Sequence, residues 1–377
     1  MSRSLYRRPL PERLVPFASE EGRALFREAL EEGNLEGFFA LAEQFHTQAD
    51  PAFCGLASLV VVLNALAIDP GRLWKGPWRW FSEDLLDCCS PLERVRERGV
   101  ALDELACLAR CNGADTRVER ADSGLERLRD DVRAASRAPL EPIVVASYAR
   151  SALGQTGSGH FSPIGGYHAA RDLALVLDVA RFKYPPHWVP LAMLHDAMRE
   201  PDPDTGSPRG WVVFSRRRSP SALLFCLSAS DGVAELLAAL DGSIPARLAE
   251  ASPTDARGAL ATFARALAER AVPVEVRAPI APEHAIAAEG VLAALRATDA
   301  HAAIAAGGAK LDPDIATTLA LAAPDATWAA LSSPTRAELV ALLDRARTSV
   351  PLAPEIAQIR EQIAALATIA RRRTTTS

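Results

Sequence analysis

What the chain has little of narrows the field first. A net charge of -5 denies it the electropositive face on which a nucleic-acid binder depends. No run approaches 18 consecutive apolar residues, so no membrane-spanning helix is expected. The opening segment MSRSLYRRPLPERLVPFASEEG has scattered charges and no apolar core, so a secretory signal is not expected either. Six cysteines in 377 residues are too few for a disulfide scaffold. Without an export signal they read as reduced thiols in a cytoplasm. What is present is ordinary for a globular protein: 49% apolar and 24% charged residues, enough to bury a core.

Composition changes near residue 220. Five of the six tryptophans, every tyrosine and five of the six cysteines precede it, and an alanine-rich, aromatic-poor region follows. The basic run Arg216, Arg217, Arg218 and then Ser219-Pro220 mark the break, which sets two domains, 1–218 and 219–377. The first mixes helices and strands. Apolar spacing predicts helices over Ser19–Glu32, Gly55–Leu66 and Leu102–Cys111, and strands over Ile143–Tyr148, His160–Tyr167, Leu173–Val179 and Trp211–Ser215. The second reads as short helices: Val233–Leu240, Pro253–Ala271, Pro282–Ala297, Asp312–Ala322, Pro334–Ala346 and Ala353–Arg371. It holds one strand, Val272–Val276, and a frayed tail from Arg371.

Candidate chemistry begins at QADPAFCGLAS. Cys54 stands where a polar, proline-containing segment becomes an all-apolar helix, and the unpaired N–H groups there favour a thiolate. Gln48 precedes it and could join the Cys54 N–H in an oxyanion hole. A buried structural cysteine is the alternative; the coincidence of Gln, Cys and helix start favours a nucleophile. A thiolate needs an imidazole and a group to orient it. Closing an antiparallel hairpin at His168–Arg171 puts His160 opposite Asp178 or Val179. A carboxylate in so apolar a strand needs a partner. The other histidines, His46, His168, His187, His195, His284 and His301, have no ligand spacing and read as surface or structural.

Two further groups stand out. Cys88-Cys89 and the i, i+4 pair Cys107 and Cys111 do not match the Cys-x-x-Cys loops of a zinc site. Buried small residues are the leading reading for them, and contact with a soft metal is the functional alternative. The segment Asp69–Phe81 is dense in tryptophan and cationic residues, suited either to wall a cleft for an anionic ligand or to pack as a loop.

With these residues in view, QADPAFCGLASLVVVLNALAIDPGRLWKGPWRWFSEDLLDCCSPLE and GQTGSGHFSPIGGYHAARDLALVLDVARFKYPPHWVPL closely resemble phytochelatin synthases, which are glutathione gamma-glutamylcysteinyltransferases. The likeness runs from about Ser4 to Ser215 and reappears weakly over Asp312–Leu366. It implies an α+β papain-like catalytic domain followed by a mainly α-helical C-terminal domain. Within the site it implies Cys54 as nucleophile, His160 as base and acid, Asp178 as orienter and Gln48 at the oxyanion hole. It points also to Asp202 and Arg209, one charge of each sign, for the ends of a gamma-glutamyl group. The implied activity is transfer of gamma-Glu-Cys from glutathione to glutathione or a growing phytochelatin. Two alternatives are hydrolysis of the same acyl-enzyme and, in another class, a non-catalytic thiol metal binder. No tightly bound cofactor is implied. A heavy-metal ion such as Cd or Zn enters as activator and as part of a metal–glutathione substrate. Glutathione, phytochelatins and heavy-metal ions are the implied partners, with nucleic acid and membrane excluded and a homodimer left open. Plant members carry a cysteine-rich C-terminal region, whereas here only Cys226 lies beyond residue 111. A stabilising role for the helical region is therefore expected over metal sensing. Alanine and arginine usage looks bacterial.

Overall fold

The computed structural model describes residues 7–217, 224–227, 231–270, 272–276 and 282–374. Its centre is an antiparallel sheet of seven strands: β1 (Val15–Pro16), β2 (Ala114–Arg120), β3 (Ile143–Ala149), β4 (Gly159–His168), β5 (Leu173–Val176), β6 (His187–Pro190) and β7 (Gly210–Arg216). The spatial order is β1-β6-β5-β4-β3-β7-β2. β3 is buried along its whole length, so both faces of the sheet must be covered. Ile143 and Val145 join the core that contains helix Cys54–Ala65. Val144, Ala146 and Tyr148 alternate to the other face, with Leu128 and Val132 of helix Leu125–Arg137 and Leu194 and Ala197 of helix Leu191–Arg199.

Cys54–Ala65, the central helix, explains its own position. Ten of its residues are buried, so no face is left for water, and it lies between the sheet and the helices Glu36–Gln44 and Leu102–Cys111. Helix Glu20–Glu31 shows the expected start: Ser19 caps it by accepting a hydrogen bond from the Gly22 N–H at 3.0 Å.

Beyond the sheet region the chain is largely helical, with a small sheet that pairs Phe225–Leu227 with Val274–Val276. The α+β class followed by a mainly helical region is therefore the observed architecture. The expected break at Arg218–Pro220 lies outside the described residues. One apolar core is continuous from Leu105 of helix Leu102–Cys111 to Cys226 and Ile363. Ile363 belongs to the long C-terminal helix, Ala353–Thr374. That helix corrects the expected tail: it passes Arg371 and runs to Thr374, anchored by Ile359, Ile363, Leu366 and Ile369 at helical spacing on its buried face. Polar ties add to this seam, since Gln358 Nε2 donates to the Arg110 carbonyl at 3.0 Å. Among the described residues no helix is long and apolar enough to cross a membrane.

Candidate active site

Cys54 is the first residue of the central helix, as the change from polar to apolar sequence demands. The backbone N–H groups of Phe161 and Gly55 favour the ionised form of its sulfur, and the helix packs on β4, which carries His160. The approach is close because residue 55 is glycine. A Cβ there would overlap the Val100 side chain and stand 3.4 Å from the Phe161 ring. Gly55→Ala should thus cost about 1–3 kcal/mol through overpacking. Denaturant unfolding checks this, and a stability equal to the parent would show that the contact yields freely.

His160 and Asp178 meet as the hairpin requires, though not by the expected ladder. β5 ends at Val176 instead of Val179, and the register with β4 slips between Ile164 and Gly166. The chain then leaves the sheet, and the Asp178 carboxylate reaches back to accept from His160 Nε2 at 2.9 Å. The Ala180 N–H also donates to Asp178 Oδ1 at 2.9 Å. Tyr148, paired with His160 across β3 and β4, packs edge-on against the imidazole at 5.8 Å.

Arg150 is the residue the sequence reading missed. It lies just past β3, and its guanidinium stands 2.9 Å from both carboxylate oxygens of Asp178. Both side chains are almost fully buried. The same guanidinium donates to Gln155 Oε1 and covers the Tyr184 ring. The missed signal was energetic: a lone imidazole, neutral at rest, cannot compensate a buried carboxylate, so a cation was required.

Electrostatics divide the three groups sharply. Burial would raise the Asp178 carboxyl, but His160 and Arg150 outweigh it and hold it well below the usual carboxylate range. Burial pulls His160 down to about 4 against the pull of Asp178. Burial likewise pushes the Cys54 thiol up, over the two backbone N–H groups and Arg150. The helix start therefore does not make a resting thiolate, contrary to the expectation from sequence, because desolvation exceeds the helix-terminal effect. Both shifts favour the neutral forms of thiol and imidazole, so proton transfer is expected to accompany attack. Alkylation of Cys54 by iodoacetamide, followed on its own peptide by mass spectrometry, should rise about tenfold per pH unit from pH 6 to 8.5, with the thiolate fraction. A plateau over that range would mean a preformed ion pair and contradict this assignment.

The remaining candidates are placed as follows. Gln48 is buried at the approach to the central helix, and its backbone N–H donates to Val179 O at 3.0 Å. Its Nε2 donates to the carbonyls of Asp50 and Pro51 at 2.8 and 2.9 Å, so both amide hydrogens are engaged in the loop. Arg209 is buried against Gly159, where a Cβ would meet its Nη2 at 3.1 Å. It donates to the carbonyls of Glu200 and Pro201 at 2.8 Å and stands 3.6 Å from Asp202. Asp202 and Arg209 thus sit together beside the start of β4.

The tryptophan loop folds on itself, with Lys75 over the Trp74 ring and Trp78 70% exposed. Arg72 and Arg79 turn back to Asp87 and Asp69. The secondary histidines are structural partners: His46 pairs with Glu83, His168 with Glu28 and His301 with Asp314. His187 and His195 are buried, and each bonds a backbone carbonyl. His284 lies on helix Pro282–Arg296.

The reduced-thiol reading is corrected. Cys107 and Cys111 do share a helix face, and the segment carrying Cys88 and Cys89 lies across it. Each adjacent cysteine meets one turn of the helix, and the structure pairs them as disulfides Cys88–Cys111 and Cys89–Cys107.

A thiol at the start of a buried helix, an imidazole on the adjacent strand and a buried carboxylate, held on an α+β scaffold, are the parts of the papain-like class. Comparison with known proteins narrows this. Residues 5–211 match the family described as phytochelatin synthase, and the chain belongs to that family. It is 56% identical over 232 residues to glutathione gamma-glutamylcysteinyltransferase 1 of Triticum aestivum, covering 61% of this chain and 46% of the relative. It is 53% identical over 230 residues to the Arabidopsis thaliana protein of the same description, covering 60% and 47%. The Schizosaccharomyces pombe glutathione gamma-glutamylcysteinyltransferase is 44% identical over 225 residues, covering 59% and 54%. The chain spans about half the length of the curated relatives it matches.

Proposed function

We propose that this chain transfers gamma-Glu-Cys from glutathione to a second glutathione or a phytochelatin, with release of glycine. The observation that carries the reading is the buried His160–Asp178 pair at 2.9 Å, on the strand that packs against the helix opened by Cys54, in a chain of this family. In the proposed cycle His160 takes the thiol proton as Cys54 sulfur attacks the carbonyl joining Cys and Gly of glutathione. The first N–H groups of the central helix have no intrahelical acceptor and can receive the oxyanion. Gln48 would join them by releasing one of its loop carbonyls. The His160 imidazolium then gives its proton to the departing glycine nitrogen, which leaves a gamma-Glu-Cys thioester on Cys54. The amino group of the second substrate attacks this thioester while His160 takes its proton, and the Cys54 thiol reforms. Asp178 holds the imidazole and stabilises its charged form, and Arg150 keeps Asp178 ionised.

Asp202 and Arg209 are proposed to take the amino and carboxylate ends of the gamma-glutamyl group, Arg209 by turning from its backbone carbonyls. A soft metal ion enters as part of the substrate, as a glutathione thiolate complex. Residues 1–218 form the proposed catalytic domain and 219–377 a stabilising one, in a cytoplasmic protein whose composition supports a bacterial source.

Product analysis tests the reading. Incubation with glutathione and cadmium should yield glycine and (gamma-Glu-Cys)2-Gly in equal amounts by mass spectrometry. Glycine with gamma-Glu-Cys alone would assign the chain to hydrolysis instead, and no glycine at all would sink both.

A further inference from the structure

His187 opens β6 and is fully buried, yet the proposed cycle gives it no task. Gln155 joins it to the catalytic set. This glutamine lies in the turn that returns from β3 to β4, where its backbone N–H donates to the Arg150 carbonyl at 2.9 Å. Its side-chain Nε2 stands 3.3 Å from His187 Nε2, and its Oε1 accepts from Arg150 Nη1. At the other edge of the ring, His187 Nδ1 is 2.9 Å from the Pro185 carbonyl. A line of hydrogen bonds therefore runs from Pro185 through His187, Gln155 and Arg150 to Asp178 and His160. Every side chain from His187 to His160 in that line is at most 4% exposed.

Donors and acceptors leave this line a single polarity. A guanidinium only donates, so the Gln155 oxygen must face Arg150 and its amide nitrogen must face His187. A carbonyl only accepts, so His187 must carry a proton on Nδ1. Its Nε2 must then be bare to accept from Gln155, which makes His187 a neutral imidazole of fixed tautomer. Burial favours the same state by pulling His187 below its ordinary range, with Arg150 adding to the pull and Asp178 and the Pro185 carbonyl opposing it. A protonated His187 would set an N–H against the amide nitrogen. Turning the amide over would only set that nitrogen against the guanidinium. Both ends of the line thus agree on one direction of the Gln155 amide.

That direction has a consequence at Asp178. Arg150 Nη1 stands 2.9 Å from Asp178 Oδ2, but its hydrogen bond goes to Gln155, and Oδ2 has no hydrogen bond among the described residues. Oδ1 accepts instead, from Arg150 Nη2, His160 Nε2 and the Ala180 N–H, each at 2.9 Å. We propose that His187 is a positioning residue: through Gln155 it holds the Arg150 guanidinium turned, so that Asp178 keeps its charge on the His160 imidazole. The inference rests on the transfer reaction proposed above, in which His160 is the base. Without the Gln155 oxygen, Nη1 can turn onto Oδ2 and clasp the carboxylate as a two-pronged fork. The fork would draw the Asp178 charge away from the imidazolium that must form during attack.

The test uses the full chain. With isotopically labelled histidine, long-range nitrogen–proton spectra at neutral pH should show His187 as a neutral ring protonated on Nδ1, its signals identified by their loss in His187→Phe. His187→Phe and Gln155→Leu should each lower kcat for glycine release about 10–100-fold and leave KM within about twofold. The double variant should be no worse than the worse single one, because both cut the same line. His187→Gln, whose side-chain oxygen can stand in for Nε2, should restore most of kcat. His195 is also buried and also bonds a carbonyl, but outside the line, so His195→Phe should keep kcat within about twofold. His187 protonated on Nε2, unchanged kcat in Gln155→Leu, additive losses in the double variant, or an equal loss in His195→Phe would each overturn the role. If His187→Phe does not fold, Gln155→Leu and the parent spectrum decide. A parent that releases no glycine would count against the reaction itself, and the spectrum would then judge the line alone.

Discussion

Cys54→Ser and His160→Ala should each lower glycine release from glutathione by about 10⁴-fold, because the nucleophile and its base act as a unit whose members are not additive. The double variant should therefore be little worse than either single one. A serine hydroxyl is far harder to ionise than a thiol, and here even the thiol is pushed up by burial. The serine variant consequently gains nothing from the helix start. Asp178→Asn should retain more activity than His160→Ala, since in the proposed cycle Asp178 orients the imidazole, which it meets at 2.9 Å, whereas His160 moves the proton. Steady-state rates measured on folded protein check this. Near-parent turnover of His160→Ala would remove the imidazole from the account.

The second large effect is on stability. Arg150→Met should cost about 3–5 kcal/mol, since it strands the fully buried Asp178 carboxylate without its cation. The sign of the pH dependence follows from the pair. Asp178 is depressed in the folded state, so its pairing stabilises fully above the unfolded carboxylate value of about 4 and fades as pH falls below it. Parent and Arg150→Met should thus differ most near pH 7 and converge in acid. His160 adds to acid sensitivity in the parent, because it is held at about 4 when folded and returns to about 6.5 when unfolded. Its share is lost between those values as pH falls. Urea titrations at pH 7 and pH 3.5 measure both, and a difference that is small at pH 7 or constant with pH would show that Arg150 is not the counter-ion.

The sequence was legible where a single local rule governs an element. Helix Leu102–Cys111 appears with its expected bounds, and β3, β4 and β7 lie within a residue of theirs. Apolar periodicity alone decided them. Helix Leu125–Arg137 was not foreseen because seven of its thirteen residues are charged and its buried positions are few. β2 was missed because Asp115, Arg117 and Glu119 make an edge strand look like a loop. At the site, Cys54 and the His160–Asp178 pair could be read from a helix start and a hairpin. Arg150 could not, since nothing local to β3 signals a guanidinium turned inward to meet Asp178. The link from Arg150 through Gln155 to His187 was hidden for the same reason: His187 is brought to it only by the pairing of β6 with β5.

The acyl-enzyme itself offers the most direct measurement. The full chain is mixed with glutathione, quenched in acid after a few milliseconds to seconds, and its intact mass recorded before and after phosphine reduction. A gamma-Glu-Cys acyl group should appear, one per chain, resist the phosphine, be removed by hydroxylamine as a thioester is, and map to the peptide containing Cys54. It should be absent from Cys54→Ser. An adduct that phosphine removes, an acyl group on another peptide, or glycine released with no adduct at any quench time would contradict the proposed chemistry.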